Sequence, residues 1–138
     1  MDTITVRTSD ELLALRDDCG KIKVEGSLKI DCNVPFNAVG ELINSLYVGG
    51  HLYVGGDLDV GDDLYVRGYL YVRGDLYVRG DLYVRGDLYV GGDLDVRGHL
   101  YVGDDLYVCG HLDVRGHLDV GDDLYVRGYL YVGGDKDF

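Results

Sequence analysis

The chain is short of almost everything that marks a disulfide-stapled, proline-rich or membrane-spanning protein. Its 138 residues include one Pro, no Trp, one Met, two Phe and three Cys. With a single proline it can be neither collagen-like nor a polyproline rod. Three cysteines is an odd number, poorly placed for a disulfide framework, which points to a reduced, cytoplasmic protein. No apolar run approaches the roughly 20 residues of a membrane-spanning helix. Met1, Asp2 and Thr3 begin no leader with a basic region followed by an apolar one. Bases are scarce too: 13 Lys and Arg stand against 25 Asp and Glu, a net charge of −12. Phosphates repel such a surface, so direct binding to nucleic acid or to an anionic membrane is disfavoured. What the chain has instead is 22 Gly, 13 Tyr and 46% hydrophobic residues, a balance suited to one folded domain.

From Ser45 to Gly134 the sequence is fifteen consecutive six-residue units without an insertion or deletion. Position two of each unit is Leu and position four is Val. Position three is Tyr in eleven units and Asp in four, namely Asp59, Asp95, Asp113 and Asp119. Leu-x-Val has a period of two, so both aliphatic side chains point to one face and position three to the other. Three-residue strands are too short to build a hairpin meander. Stacking each strand on the one a coil below solves that problem, and the expected fold is an all-β, parallel, triangular β-solenoid with three units per coil. Counting the in-phase upstream units gives six to seven coils, a rod roughly 30 Å tall at ~4.8 Å per coil.

Every unit has Gly at position five, position six or both. The expected reason is a positive φ at each corner, which Gly adopts freely and Asp tolerates. On that reading the Gly-Asp-Asp stretches around Asp62, Asp104 and Asp122 are corner chemistry rather than a metal site.

The register extends upstream through Ile4 and Val6, Ile22 and Val24, Leu28 and Ile30, and Val34 and Phe36. The unit from Val39 to Asn44 is degenerate. Ser9 to Gly20 reads as a short amphipathic helix, with Thr8 or Ser9 as N-cap, Asp10 and Glu11 in the first turn and Gly20 at its end. It is expected to close one end of the solenoid. At the other end Lys136 replaces the inward Leu, placing a charge on the terminal strand. The expected organisation is a cap over 1–44, the fifteen-unit solenoid over 45–134 and an edge cap over 135–138.

Three units per coil sort the outward residues into ladders. One face stacks Tyr53, Tyr71, Tyr89, Tyr107 and Tyr125 without interruption. A second carries Asp57, Asp59, Asp75, Asp93, Asp95 and Asp113, edged by Arg79, Arg97 and Arg115. The third is mixed, with Tyr47, Tyr65, Tyr83 and Tyr101 followed by Asp119. The repeat holds 15 acids and 7 bases, leaving a surplus of negative charge that solubility alone could explain. The sharper expectation is that these tyrosines and acids of the first two faces form an acidic, aromatic wall that docks on a basic protein surface.

Chemistry of other kinds is thin. All four histidines (His51, His99, His111 and His117) occupy the outward position one, and their spacing matches no strong metal-ligand pattern. Cys109 lies at a corner and no cysteine has a neighbouring His to activate it as a nucleophile. The glycines recur because corners do, not as a phosphate-binding loop, and no loop leaves the coil to carry a catalytic site. No enzyme activity, cofactor or metal is expected.

The run Asp-Leu-Tyr-Val-Arg-Gly repeated from Asp75 to Gly86 resembles the repeat of bactofilins. That resemblance implies a right-handed triangular solenoid that polymerises end to end. The stretch from Thr8 to Asp31, with its capped helix, Cys19 and Ile22-Lys-Val-Glu-Gly-Ser-Leu-Lys-Ile30, looks like the start of a receptor L domain, which also implies a right-handed coil. Acidic pentapeptide-repeat solenoids that imitate DNA offer a functional analogy. The leading expectation is a non-enzymatic inhibitor or decoy, a monomer or small homo-oligomer, whose acids occupy the basic groove of a nucleic-acid-binding enzyme, as would suit a phage counter-defence factor. The alternatives are a self-assembling structural protein like bactofilins and a general protein-interaction scaffold.

Overall fold

A computed structural model describes residues 3–6, 22–24, 27–30 and 45–137. Three strands come first: β1 (Thr3–Val6), β2 (Ile22–Val24) and β3 (Ser27–Ile30). From β4 (Leu46–Val48) to β18 (Leu130–Val132) every Leu-x-Val triplet is one strand, and β19 (Lys136–Asp137) follows. All pairings are parallel, and in the regular region each residue stacks on the one 18 places later, as in Leu64, Leu82 and Leu100. The fifteen regular strands therefore make five coils of a parallel β-solenoid.

Three sheets result, named here by an outward residue of each. Among the described residues, the Tyr53 sheet and the Tyr47 sheet have seven strands each, and the Asp59 sheet has five. Their inward faces meet in a core of stacked Leu and Val columns, buried from Leu46 through Val120. Each such side chain contributes about 1.5–3 kcal/mol by leaving water. The core thins at the last coil, where Leu130 is 42% exposed while Leu112, directly beneath it, is 1% exposed.

The backbone hydrogen bonds can be followed position by position. Position two donates up the rod, as Leu82 N–H does to the His99 carbonyl, while positions five and six donate down it, as Arg85 and Gly86 do to Val66 and Gly68. Among the described residues, eleven position-one N–H groups donate to a side chain one coil earlier. His99 N–H donates to Asp81 Oδ1 at 2.8 Å, and His117 N–H donates to His99 Nδ1 at 2.9 Å. The same rung recurs on all three corners, for example from Asp93 to Asp75 and from Asp105 to Asp87. Asp and His share this position because both place an acceptor atom one bond beyond Cγ, where the next coil's N–H needs it. The exceptions fit: Tyr69 and Tyr129 each stack on a histidine ring one coil earlier, His51 and His111.

These rungs correct the expected role of the corner glycines. None of the corner glycines that crowd the coil beneath has its φ in the left-handed region. What they share is close approach. A Cβ on Gly98 would lie 2.2 Å from Asp81 Oδ1, the rung acceptor, and one on Gly103 would lie 2.1 Å from the Arg85 carbonyl oxygen. Corners thus carry Gly at whichever position nears the coil beneath. Where Asp104 or Asp122 takes position six, the passing rung lengthens to 3.0 Å, against 2.7–2.9 Å elsewhere.

Upstream, the strands expected around Ile4, Ile22 and Leu28 are present and stack in phase. Ile22 pairs with Leu46 and Leu28 with Leu52, so this coil spans 24 residues and accommodates one extra unit. The expected helix over Ser9–Gly20, the unit containing Val34 and Phe36, and the degenerate unit 39–44 lie outside the described residues. The described residues contain no helix, and so none long and apolar enough to cross a membrane. Lys136 takes the register place above Leu118.

Candidate functional site

The outward position-three residues form the ladders expected from the repeat. On the Tyr53 sheet, Tyr71, Tyr89, Tyr107 and Tyr125 stack with ring centroids 4.7–5.0 Å apart, while Tyr53 tilts against Tyr71 at 6.1 Å. All five predicted tyrosines are thus brought together on one face. Tyr89 also meets Cys109, its hydroxyl 3.8 Å from Sγ, where other units place Arg or Gly. That contact is the largest of the influences that raise the pKa of the Tyr89 hydroxyl.

The six predicted acids also share one face, the Asp59 sheet, but they are of two kinds. Asp57, Asp75 and Asp93 begin successive strands as an exposed axial row. Each accepts at Oδ1 the N–H one coil on, at 2.7, 2.8 and 2.8 Å. Asp59, Asp95 and Asp113 lie mid-strand and half-buried, in one column with Tyr77. Oδ1 of both Asp59 and Asp113 is buried and accepts no hydrogen bond. Burial pushes the Asp59 carboxyl above the ordinary range, and Arg79 opposes it. Burial also raises Asp95, with the Asp113 charge adding to the shift and Arg115 and Arg97 opposing it.

The arginines sit at the far edge of the same sheet. Arg79 and Arg97 lie over the Tyr77 ring, at 5.6 and 5.7 Å from its centroid. Arg115 Nε is 3.9 Å from Asp113 Oδ1. The Asp57–Asp93 row is therefore on the edge away from these three cations, with Arg73 the base that precedes it at its own corner.

The third face, mixed in its outward residues, holds a well-defined concavity. A groove of about 890 Å³ runs along the Tyr47 sheet between the tyrosine ladder and the corner of Arg67 and Arg85, ending at Asp119. Tyr47, Tyr65, Tyr83 and Tyr101 stack at 4.8 Å with their planes within 7°. Burial first, then the nearest aspartate (Asp63 for Tyr65, Asp81 for Tyr83), pushes the two hydroxyls' pKa up. The signal was legible as a ladder in the repeat; the groove beside it depends on corner shape, which the repeat does not state.

The histidines are committed through Nδ1. His51, His99, His111 and His117 all accept a backbone N–H there, and His99 stacks on His117 at 4.6 Å. Among the described residues, no group of three or more His, Cys, Asp or Glu is placed to hold a metal ion. No protein-family model, curated protein or solved structure matches the chain. The likenesses to bactofilins and to the receptor L domain accordingly rest on the quoted sequence alone, and the class that fold and faces define is a parallel β-solenoid displaying acid and tyrosine ladders.

Proposed function

We propose that the chain is a non-enzymatic binding protein whose acid row docks on a basic protein surface, as a decoy in the groove of a nucleic-acid-binding enzyme. One observation carries this reading: the carboxylates of Asp57, Asp75 and Asp93 are exposed yet each fixed by a backbone hydrogen bond one coil on. A charge held in this way loses little rotamer freedom on docking, so more of its attraction appears as affinity. The net charge of −12 would steer the rod toward a groove lined with Lys and Arg. The uninterrupted Tyr53–Tyr125 ladder on the adjoining sheet supplies rigid contact area beside the row.

The test is capture from nuclease-treated lysate followed by elution with short duplex DNA. Release of a basic nucleic-acid enzyme by DNA supports the decoy reading. Capture that DNA does not release, or that survives Asp57→Asn, Asp75→Asn and Asp93→Asn together but is lost with Tyr53→Ala, Tyr71→Ala and Tyr89→Ala, moves recognition to the aromatic face.

A further inference from the structure

The groove on the Tyr47 sheet is bordered by charge in an ordered way. Position one of its strands supplies Asp63 and Asp81 along one side of the tyrosine ladder, both half-buried. Position five supplies Arg67 and Arg85 along the other, both exposed, and the groove lies between the ladder and these arginines. Across these two coils the face therefore carries two acids and two bases, in a chain whose net charge is −12. Over these two coils acids and bases balance, so a second copy meets little net repulsion there.

The placement also selects an orientation. If two such faces meet about a two-fold axis parallel to the strands, acid column meets acid column. About a two-fold parallel to the rod, the Asp63–Asp81 column of each copy faces the Arg67–Arg85 column of the other. Because the groove lies to one side of the ladder, a rod-parallel axis set between ladder and groove seats each ladder in the other's groove. Stacked aromatic ladders interlocked in this way form the dry zipper typical of paired parallel sheets.

We propose that two copies of this chain associate side by side through the Tyr47 sheet, about a two-fold axis parallel to the rod, each tyrosine ladder filling the other's groove. The proposal is independent of the decoy reading, which uses the acid row of the Asp59 sheet and the Tyr53 ladder. Asp119 opposes it most directly, since the two-fold sets the Asp119 carboxylates of both copies at the same height, at the groove's end, and the exposed Asp104 and Asp122 add negative charge along the arginine edge.

The experiment is sedimentation equilibrium of the full chain up to roughly 100 µM, the range in which a modest interface dimerises. The expected result is a monomer–dimer equilibrium. Tyr65→Ala with Tyr83→Ala, and separately Arg67→Asp with Arg85→Asp, should each weaken it about tenfold or more. Asp119→Tyr, which extends the ladder and removes two opposed charges, should tighten it about tenfold. Tyr71→Ala with Tyr89→Ala, on a different sheet, should leave it unchanged. A wild-type chain that stays monomeric throughout overturns the proposal. So does a dimer insensitive to the arginine pair, or one lost on Leu130→Lys in the last coil.

Discussion

At the scale of the residue, position one is where structure and charge meet. Asp81 gives the clearest case, because its Oδ1 receives the His99 N–H at 2.8 Å. Asp81→Asn keeps that acceptor and drops the charge, whereas Asp81→Ala leaves a part-buried N–H without a partner. Chemical denaturation should show a loss of about 1–2 kcal/mol for Ala and under about 0.5 kcal/mol for Asn. Equal losses would mean the carboxylate's charge, not its acceptor, is what matters. Asp95 works in the opposite sense. Burial and Asp113 hold its proton more tightly in the folded chain than in the unfolded one. The folded state then binds more protons, so this group's contribution to stability declines as pH rises from below the ordinary carboxylate range through the raised folded value. Above that value the ionised Asp95 destabilises the fold. Asp95→Asn should therefore raise the melting temperature more at about pH 7 than at about pH 3. An increment that is the same at both pH values would contradict this assignment.

At the scale of the element, the strand and its register were legible and the corner was not. A fixed Leu-x-Val every six residues, with no insertion, determines which side chains point inward and which residues stack 18 apart, so the Tyr53–Tyr125 ladder and the gathering of six acids on one face followed directly. The corner glycines misled because positive φ is the usual demand on a recurring glycine. Here the demand comes from the coil below, whose Asp or His side chain occupies the space a Cβ would need. The signal was present in the exchange of Asp with His at position one: unlike in charge, they share an acceptor at one distance from the backbone. The spacing of 24 residues from Ile22 to Leu46, against 18 in the regular coils, was not legible in the hexad phase. Strands in a solenoid also differ by where they stand along it, since each coil is buttressed only by its neighbours. Leu88→Ala, in a mid-rod strand where Leu88 is 1% exposed, should cost about 2–5 kcal/mol. Leu130→Ala, with that leucine already 42% exposed, should cost under about 1 kcal/mol. Similar losses at the two positions would mean that the last coil is as well packed as the middle.

At the scale of the whole molecule, the rod separates its properties by face and by edge. One sheet is a plain tyrosine ladder, one is a tyrosine ladder beside a groove, and one is acidic with its arginines drawn to the far edge over Tyr77. The same hydrogen bond that joins one coil to the next fixes the carboxylates of the acid row. Building the fold and presenting ordered charge are thus done by one set of side chains. Substituting Asn for Asp57, Asp75 and Asp93 together separates these two roles, since each amide oxygen can still take the rung hydrogen bond. The measurement is DNA-eluted capture by the wild-type and triple-Asn chains side by side, with the stability of each determined by denaturation. The account predicts that the variant stays folded within about 1 kcal/mol of the wild type and loses the DNA-releasable partner. A folded variant that captures and releases the same partner as the wild type would contradict it.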